Sequence, residues 1–341
     1  MDDRPFDADV VVVGEGPAGS AAAIACATQG LRVVLCEREA AGRDRPGETL
    51  HPGVEPVLAQ LGVADQLPGV VGVRHGGIWI EWGRPRRFES FGGDTAGPWA
   101  GFQVWRAGFD AMLLEQSRAR GVEVRERCAV FDAITRDGAV CGVVTAEGEI
   151  TARMVVDASG AARWLARALE IRSPPRSPQL IARYGYVEGA CPARDEAPLL
   201  VGTASGWTWT ARVRPGVYQW TTVRFDSIGA DEGPPEELIN LAPHGRTRGA
   251  DVTWRLAERT AGPGWIIAGD AAAILDPTSS HGVLKGLLSG ITAGHLIAAG
   301  LAGKAPPAEL AAGYHSWIEG RFNTDARRLR QFYREIGAPG F

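Results

Sequence analysis

Residues Gly14-Glu15-Gly16-Pro17-Ala18-Gly19 have the spacing GxGxxG, and what flanks them constrains the fold more than any other feature of the chain. Before them, residues 9–13 form a short β-branched run that predicts a buried parallel strand. After them, the small residues from 17 to 30 predict a helix seated closely on a sheet, and residues 31–37 a second strand. Strand, glycine turn, helix and strand make one βαβ unit of about 30 residues. In such a unit the first glycine makes the tight turn, the second lets a pyrophosphate approach the backbone, and the third seats the helix. The helix N-terminus then offers unpaired N–H groups to the phosphates. Glu37 stands 23 residues after Gly14, where an acid accepts hydrogen bonds from ribose hydroxyls. Pro17, Ala18 and Arg38 complete the expected contacts to a dinucleotide. A glycine-rich surface turn would leave Glu37 unexplained.

A second stretch selects FAD over NAD. Residues 264–272 read as a strand ending in Gly269-Asp270, whose carboxylate suits a ribityl hydroxyl. The chain continues through 276–282 into a helix from Val283, with Ser280 and Gly282 at its start. That helix N-terminus would face the flavin pyrimidine edge and stabilise negative charge on the reduced ring. Residues 155–160 supply another strand-to-loop turn beside the cofactor.

Parallel α/β material therefore occurs in separated pieces, with antiparallel, tryptophan-rich strands between them. The predicted fold class is α/β (α+β). A Rossmann-type FAD-binding domain is built from 1–72, 103–172 and 258–303. An antiparallel β-sheet substrate domain is inserted from 73–102 and 173–257, and a C-terminal helical segment spans 304–341. Within this scheme residues 73–91 read as an antiparallel strand pair.

Composition narrows the function. Lys+Arg 36 against Asp+Glu 40 leaves a net charge of −4, which argues against a nucleic-acid or anionic-membrane binder. The acidic N-terminus lacks the apolar region of a signal peptide. No stretch approaches an uninterrupted run of about 18 apolar residues, so no membrane span is expected. The five cysteines contain no CxxC pair and the histidines no HxxxH, so neither a disulfide framework nor a metal is expected. The expected location is the cytoplasm.

Together, the three motifs in this order resemble the single-component FAD monooxygenase superfamily, which includes aromatic hydroxylases, flavin-dependent halogenases and geranylgeranyl reductases. The resemblance runs over about residues 8–335. The block from Gln103 to Asp110 resembles the segment whose arginine, here Arg106, contacts the cofactor. Residues 45–50, with Arg45 and Glu48, resemble the flavin-covering loop of the halogenase-like branch. Residues 277–286, Trp82-Gly83 and 330–335 are most similar to the flavoproteins that oxidise a tryptophan of a partner protein toward a tryptophylquinone.

The resemblance implies a monooxygenase in which reduced FAD and O2 form a C4a-hydroperoxide that hydroxylates an electron-rich aromatic, indole- or phenol-like. NAD(P)H or another external reductant would supply electrons. The substrate would be a small molecule or a protein-borne tryptophan. A reductase of the geranylgeranyl reductase type and a non-catalytic FAD-binding assembly partner are the alternatives. Halogenases carry a lysine early in the substrate region and a WxWxIP stretch. Here no lysine precedes Lys285, and Trp207-Thr208-Trp209 keeps only the two tryptophans.

Around the substrate, Trp207 and Trp209 share one strand face and either line an aromatic pocket or pack in the sheet. Trp220 either packs in the core or domain interface or joins the substrate wall, and His75 is a further candidate. His281 precedes the flavin-facing helix and is either an acid–base group or a loop brace. Glu48 either covers the flavin and accepts a substrate proton or forms a loop salt bridge.

Overall fold

The computed structural model describes residues 6–40, 48–225 and 233–341. The glycine motif leaves the C-terminal end of the Ala8–Val13 strand, which lies inside a parallel sheet. Across that sheet run Glu123–Arg125, Val33–Cys36, Ala8–Val13, Gly148–Asp157 and Trp265–Ile267, each parallel to its neighbours. Val10, Val11, Val12, Val155 and Val156 are fully buried, as continuous apolar runs covered on both faces must be. The first half of Gly148–Asp157 turns to antiparallel pairing with Ala139–Thr145, which pairs on to Val130–Arg136.

Two helices seal one face. Pro17–Thr28 and Gly282–Leu301 lie side by side and run the same way, because Gly286, Gly290 and Gly294 meet Ala18, Ala22 and Ala25 in that order. A Cβ on Gly290 would fall 2.1 Å from the Ala18 carbonyl oxygen, so only glycine allows this approach. Both N-termini thus converge where strands Ala8–Val13 and Trp265–Ile267 end. By length and mean hydropathy Gly282–Leu301 could cross a membrane, although Lys285 and several other polar residues interrupt its apolar run. Its glycine face is instead filled by the first helix.

The tryptophan-rich strands form the second sheet, ordered Ile181–Glu188, Val217–Arg224, Gly206–Arg214, Leu199–Thr203, Gly77–Trp82 and Arg87–Ser90. Pro215-Gly216 makes its central hairpin, with Gly216 at φ +70°. Cross-strand partners share a face. One face therefore carries Tyr184, Tyr186, Trp209, Gln219 and Thr221, and the other Tyr218, Trp220 and Thr210. The 73–91 expectation is half met. Gly77–Trp82 pairs antiparallel with Arg87–Ser90, whereas Val71–His75 leaves at Gly76 to pair with Gly101–Val104.

The C-terminal helix Pro307–Glu335 joins the two sheets. Phe332 stacks on Trp82 with ring centroids 4.0 Å apart and planes 4° apart, and Trp82 Nε1 donates to the Phe332 carbonyl at 2.6 Å.

Candidate active site

The residues of the glycine turn fit a dinucleotide. Gly14 has φ +103°, and a Cβ there would lie 2.6 Å from the Ala158 carbonyl oxygen. A Cβ on Gly19 would lie 1.8 Å from the Gly14 oxygen, so the turn and the first helix turn close only without side chains. Gly16 caps the helix with no side-chain hydrogen bond and Pro17 opens it, which leaves its first N–H groups to a phosphate. Glu37 is buried, and its carboxylate accepts from the Glu15 N–H at 3.2 Å and the Glu39 N–H at 3.1 Å. Arg38 follows the end of the strand, is exposed and lies 3.4 Å from Glu39. Arg45 lies outside the described residues.

At the second motif Gly269 has φ +62°, and its N–H donates to Ser289 Oγ at 2.9 Å. Asp270 is open to solvent at the head of a cleft walled by Gly282, Lys285, Ser289 and the C-terminal helix. Arg106 and Lys285 supply positive charge near its carboxylate. Arg106 is buried and pairs with Asp110 at 2.9 Å, and it also feels Glu48 and Asp270. Ser280 takes the left-handed conformation at φ +51° and hands the chain to His281, the N-cap of the Gly282–Leu301 helix, whose Val283 packs in the adjoining core.

Glu48 is buried where the two sheets meet. Tyr186 Oη donates to Glu48 Oε1, and Tyr184, one alternation along the same face, feels the same carboxylate. Trp105 continues the wall, 5.4 Å from the Tyr186 ring, with the Arg214 guanidinium over it at 4.4 Å. Glu48 is thus tied to the aromatic face of the sheet by Tyr186 and lies within the field of Arg106. Tyr184, Tyr186 and Trp105 escaped the sequence reading. The alternation of 181–188 was the available signal, but it does not say which face turns inward.

Three of the substrate candidates pack in the interior, Trp207 and Trp220 taking the core role that was one of their two readings. Trp207 is 2% exposed and its Nε1 donates to Tyr333 Oη at 2.8 Å, so it is a core anchor for the C-terminal helix. Trp220 is buried on the opposite face with Tyr218, Val187 and Leu238, because its register partner is Gly185 rather than Tyr186. Only Trp209, half-buried beside the Tyr184 strand pair, keeps a place near Glu48's face.

His75 is the third. Thr49 Oγ1 donates to Gln103 Oε1 at 2.9 Å, Gln103 Nε2 donates to His75 Nε2 at 3.3 Å, and His75 Nδ1 donates to the Gly77 carbonyl at 3.0 Å. Both ring nitrogens are engaged, and burial pushes the imidazole below its usual pKa. We expect a histidine NMR titration to place the His75 midpoint below about 6.5. Its contribution to stability is then present above the unfolded value and lost as pH falls through the folded one. Gln103→Glu, which faces Nε2 with an acceptor, should raise that midpoint; an unchanged midpoint would contradict the relay.

Residues 7–190, just over half of the chain, match a family model described as FAD binding domain. Over 95% of this chain and 85% of the relative, the sequence is 28% identical to the 1H-pyrrole-2-carbonyl-[peptidyl-carrier protein] brominase of Pseudoalteromonas luteoviolacea. The myxobacterial chondrochloren halogenase CndH superposes with a TM-score of 0.88 at 28% identity, covering 96% of this chain and 83% of that one. The peptidyl tryptophan dihydroxylase QhpG shares the fold, with a TM-score of 0.76 at 23% identity over 97% of this chain and 77% of that one.

Proposed function

The chain belongs to the FAD binding domain family and is an FAD-dependent oxidoreductase, and from that premise we propose that it hydroxylates an electron-rich aromatic ring, indole- or phenol-like. Bound FAD supplies the electrons that activate O2, with an external reductant restoring them. Gly14, Gly16 and Gly19 with the first helix N-terminus would hold its pyrophosphate, Glu37 a ribose, Asp270 the ribityl chain and Arg106 the adjoining edge. Ser280, Gly282 and Val283 would present the second helix N-terminus to the bound flavin, where its dipole would favour negative charge.

The observation that carries the reading is Glu48. A buried carboxylate held by Tyr186 and facing Arg106 closes one side of the cofactor region with hydrogen-bonding aromatic groups. Tyr184, Tyr186, Trp105 and Trp209 offer a planar substrate ring faces and edges to pack against. Glu48 is placed to accept a proton from an aromatic N–H or O–H, and His281 to do so at the helix N-terminus.

Halogenation is the second reading, favoured by the activities for which the brominase and the chondrochloren halogenase are named. Against it stands the lysine supply: the chain has only Lys285 and Lys304, and Lys285 is paired to Asp325 at 3.0 Å. The deciding experiment offers indole, phenol, pyrrole and tryptophan-containing peptides to the reduced, FAD-loaded protein under O2, with and without bromide or chloride. We expect a product heavier by one oxygen atom whether or not halide is present. A product carrying halogen would establish the second reading, and reaction of a peptide but of no free ring would place the substrate on a partner protein.

A further inference from the structure

His51 and His281 lie 230 residues apart in sequence but face each other across the mouth of the Gly282–Leu301 helix, with ring centroids 5.3 Å apart and planes at 40°. Each ring has one nitrogen committed to backbone, and the two commitments are opposite. The Gly53 N–H donates to His51 Nδ1 at 3.0 Å, so Nδ1 carries the lone pair and the neutral ring has its proton on Nε2. His281 Nδ1 meets the Ser279 carbonyl, which only accepts, so Nδ1 carries the proton and Nε2 the lone pair. Both rings are half-buried and therefore reachable from the site.

We propose that His51 and His281 form a donor–acceptor dyad that takes up one proton: His281 Nε2 receives it from an aromatic N–H or O–H of the substrate, while His51 Nε2–H holds the ring that gives it up. The substrate heteroatom keeps the electron pair of the broken bond, and the new imidazolium retains its Nδ1–H on Ser279. The dyad rests on the aromatic-substrate reading above and adds His51 to it as the residue that holds the substrate ring by hydrogen bonding.

The surroundings favour a single proton. Two imidazoles this close repel when both are charged, and His51 disfavours a charged His281. Lys285, one turn along the same helix, acts in the same direction, while Asp325 from the C-terminal helix opposes it. Phe91 closes the other side of His51 edge-on at 5.4 Å and carries no charge. Burial holds both rings below the usual histidine pKa, which keeps His281 free to accept near neutrality.

The test is a long-range proton–nitrogen correlation spectrum of the FAD-loaded protein with labelled histidine, followed over pH. We expect opposite tautomers, His281 protonated on Nδ1 and His51 on Nε2, and coupled titrations in which the second proton binds only at much lower pH. His51→Gln, which keeps an acceptor for Gly53, should move the His281 midpoint upward and shift the acid limb of the rate profile with it. It should raise KM and lower kcat/KM about 10-fold, the scale of one lost hydrogen bond to the substrate, while bound flavin stays unchanged. Matching tautomers, or two independent titrations, would overturn the dyad. Failure to bind FAD would instead sink the reading beneath it, since the tautomers are measurable in the free chain.

Discussion

Gly19→Ala should yield a protein that purifies without yellow colour and binds FAD at least about 100-fold more weakly, a loss near 2.7 kcal/mol. The added methyl would lie 1.8 Å from the Gly14 oxygen, 3.0 Å from its carbon and 3.2 Å from the Ala158 Cβ. Two of these atoms are backbone, so no rotamer change relieves the contact. The first helix must move away from the turn, and with it the N–H groups offered to the phosphates. Overpacking of this kind costs about 1–3 kcal/mol or more of stability even without ligand. Gly30→Ala is the control. It sits at φ +80° with nothing within 4 Å, so it should cost about 1 kcal/mol of stability through backbone strain and leave flavin binding intact. Flavin absorbance, an FAD titration and a denaturation curve on each variant decide it. A yellow Gly19→Ala protein with full occupancy would remove the glycine turn from the cofactor site.

That turn was readable because everything it needs is local. A turn geometry, a helix start and an acid at fixed spacing all follow from a few dozen contiguous residues, and Gly269-Asp270 is nearly as compact. The substrate side was not, because its parts meet only through packing. Glu48 and Tyr186 are 138 residues apart, and His51 and His281 further still. Period-2 alternation placed Trp207 and Trp209 correctly on one face, yet it gave no sign that Tyr333 would arrive from the C-terminal helix to claim Trp207. The same alternation assigned Trp220 to a strand without revealing that Gly185 rather than Tyr186 would be its partner. His75 looked available because its two satisfied nitrogens depend on Gln103 and Gly77, and so on a strand pairing between Val71–His75 and Gly101–Val104. Local chemistry is written in the chain, whereas the inward face of a sheet is decided by what packs on it.

Asp276→Ala should be the most costly single substitution outside the glycine turn, by about 4 kcal/mol. This carboxylate is fully buried and gathers donors from three directions. Trp254 Nε1 reaches it at 2.5 Å, the Thr278 N–H at 3.0 Å, and the Thr278 and Tyr333 hydroxyls complete the set. Tyr333 in turn accepts from Trp207, so one carboxylate ties the second sheet, the C-terminal helix and the Pro277–Ser279 turn together. Removing it strands buried donors at about 1–3 kcal/mol each, partly relieved where the loop yields. The yielding loop is the one that delivers Ser280 and His281 to the helix N-terminus, so flavin affinity and turnover should fall along with stability. Burial outweighs the donors and holds the Asp276 carboxyl above the usual range. Its contribution is then fully present below the unfolded value near 3.9 and is lost as pH rises through the folded value. Asp276→Asn cannot titrate and removes that slope, so the stability gap between wild type and Asn should be widest in acid and narrow as pH rises. Denaturant curves at several pH values measure it, and a gap that widens toward neutral pH would mean that the four donors, rather than burial, set the charge of this group.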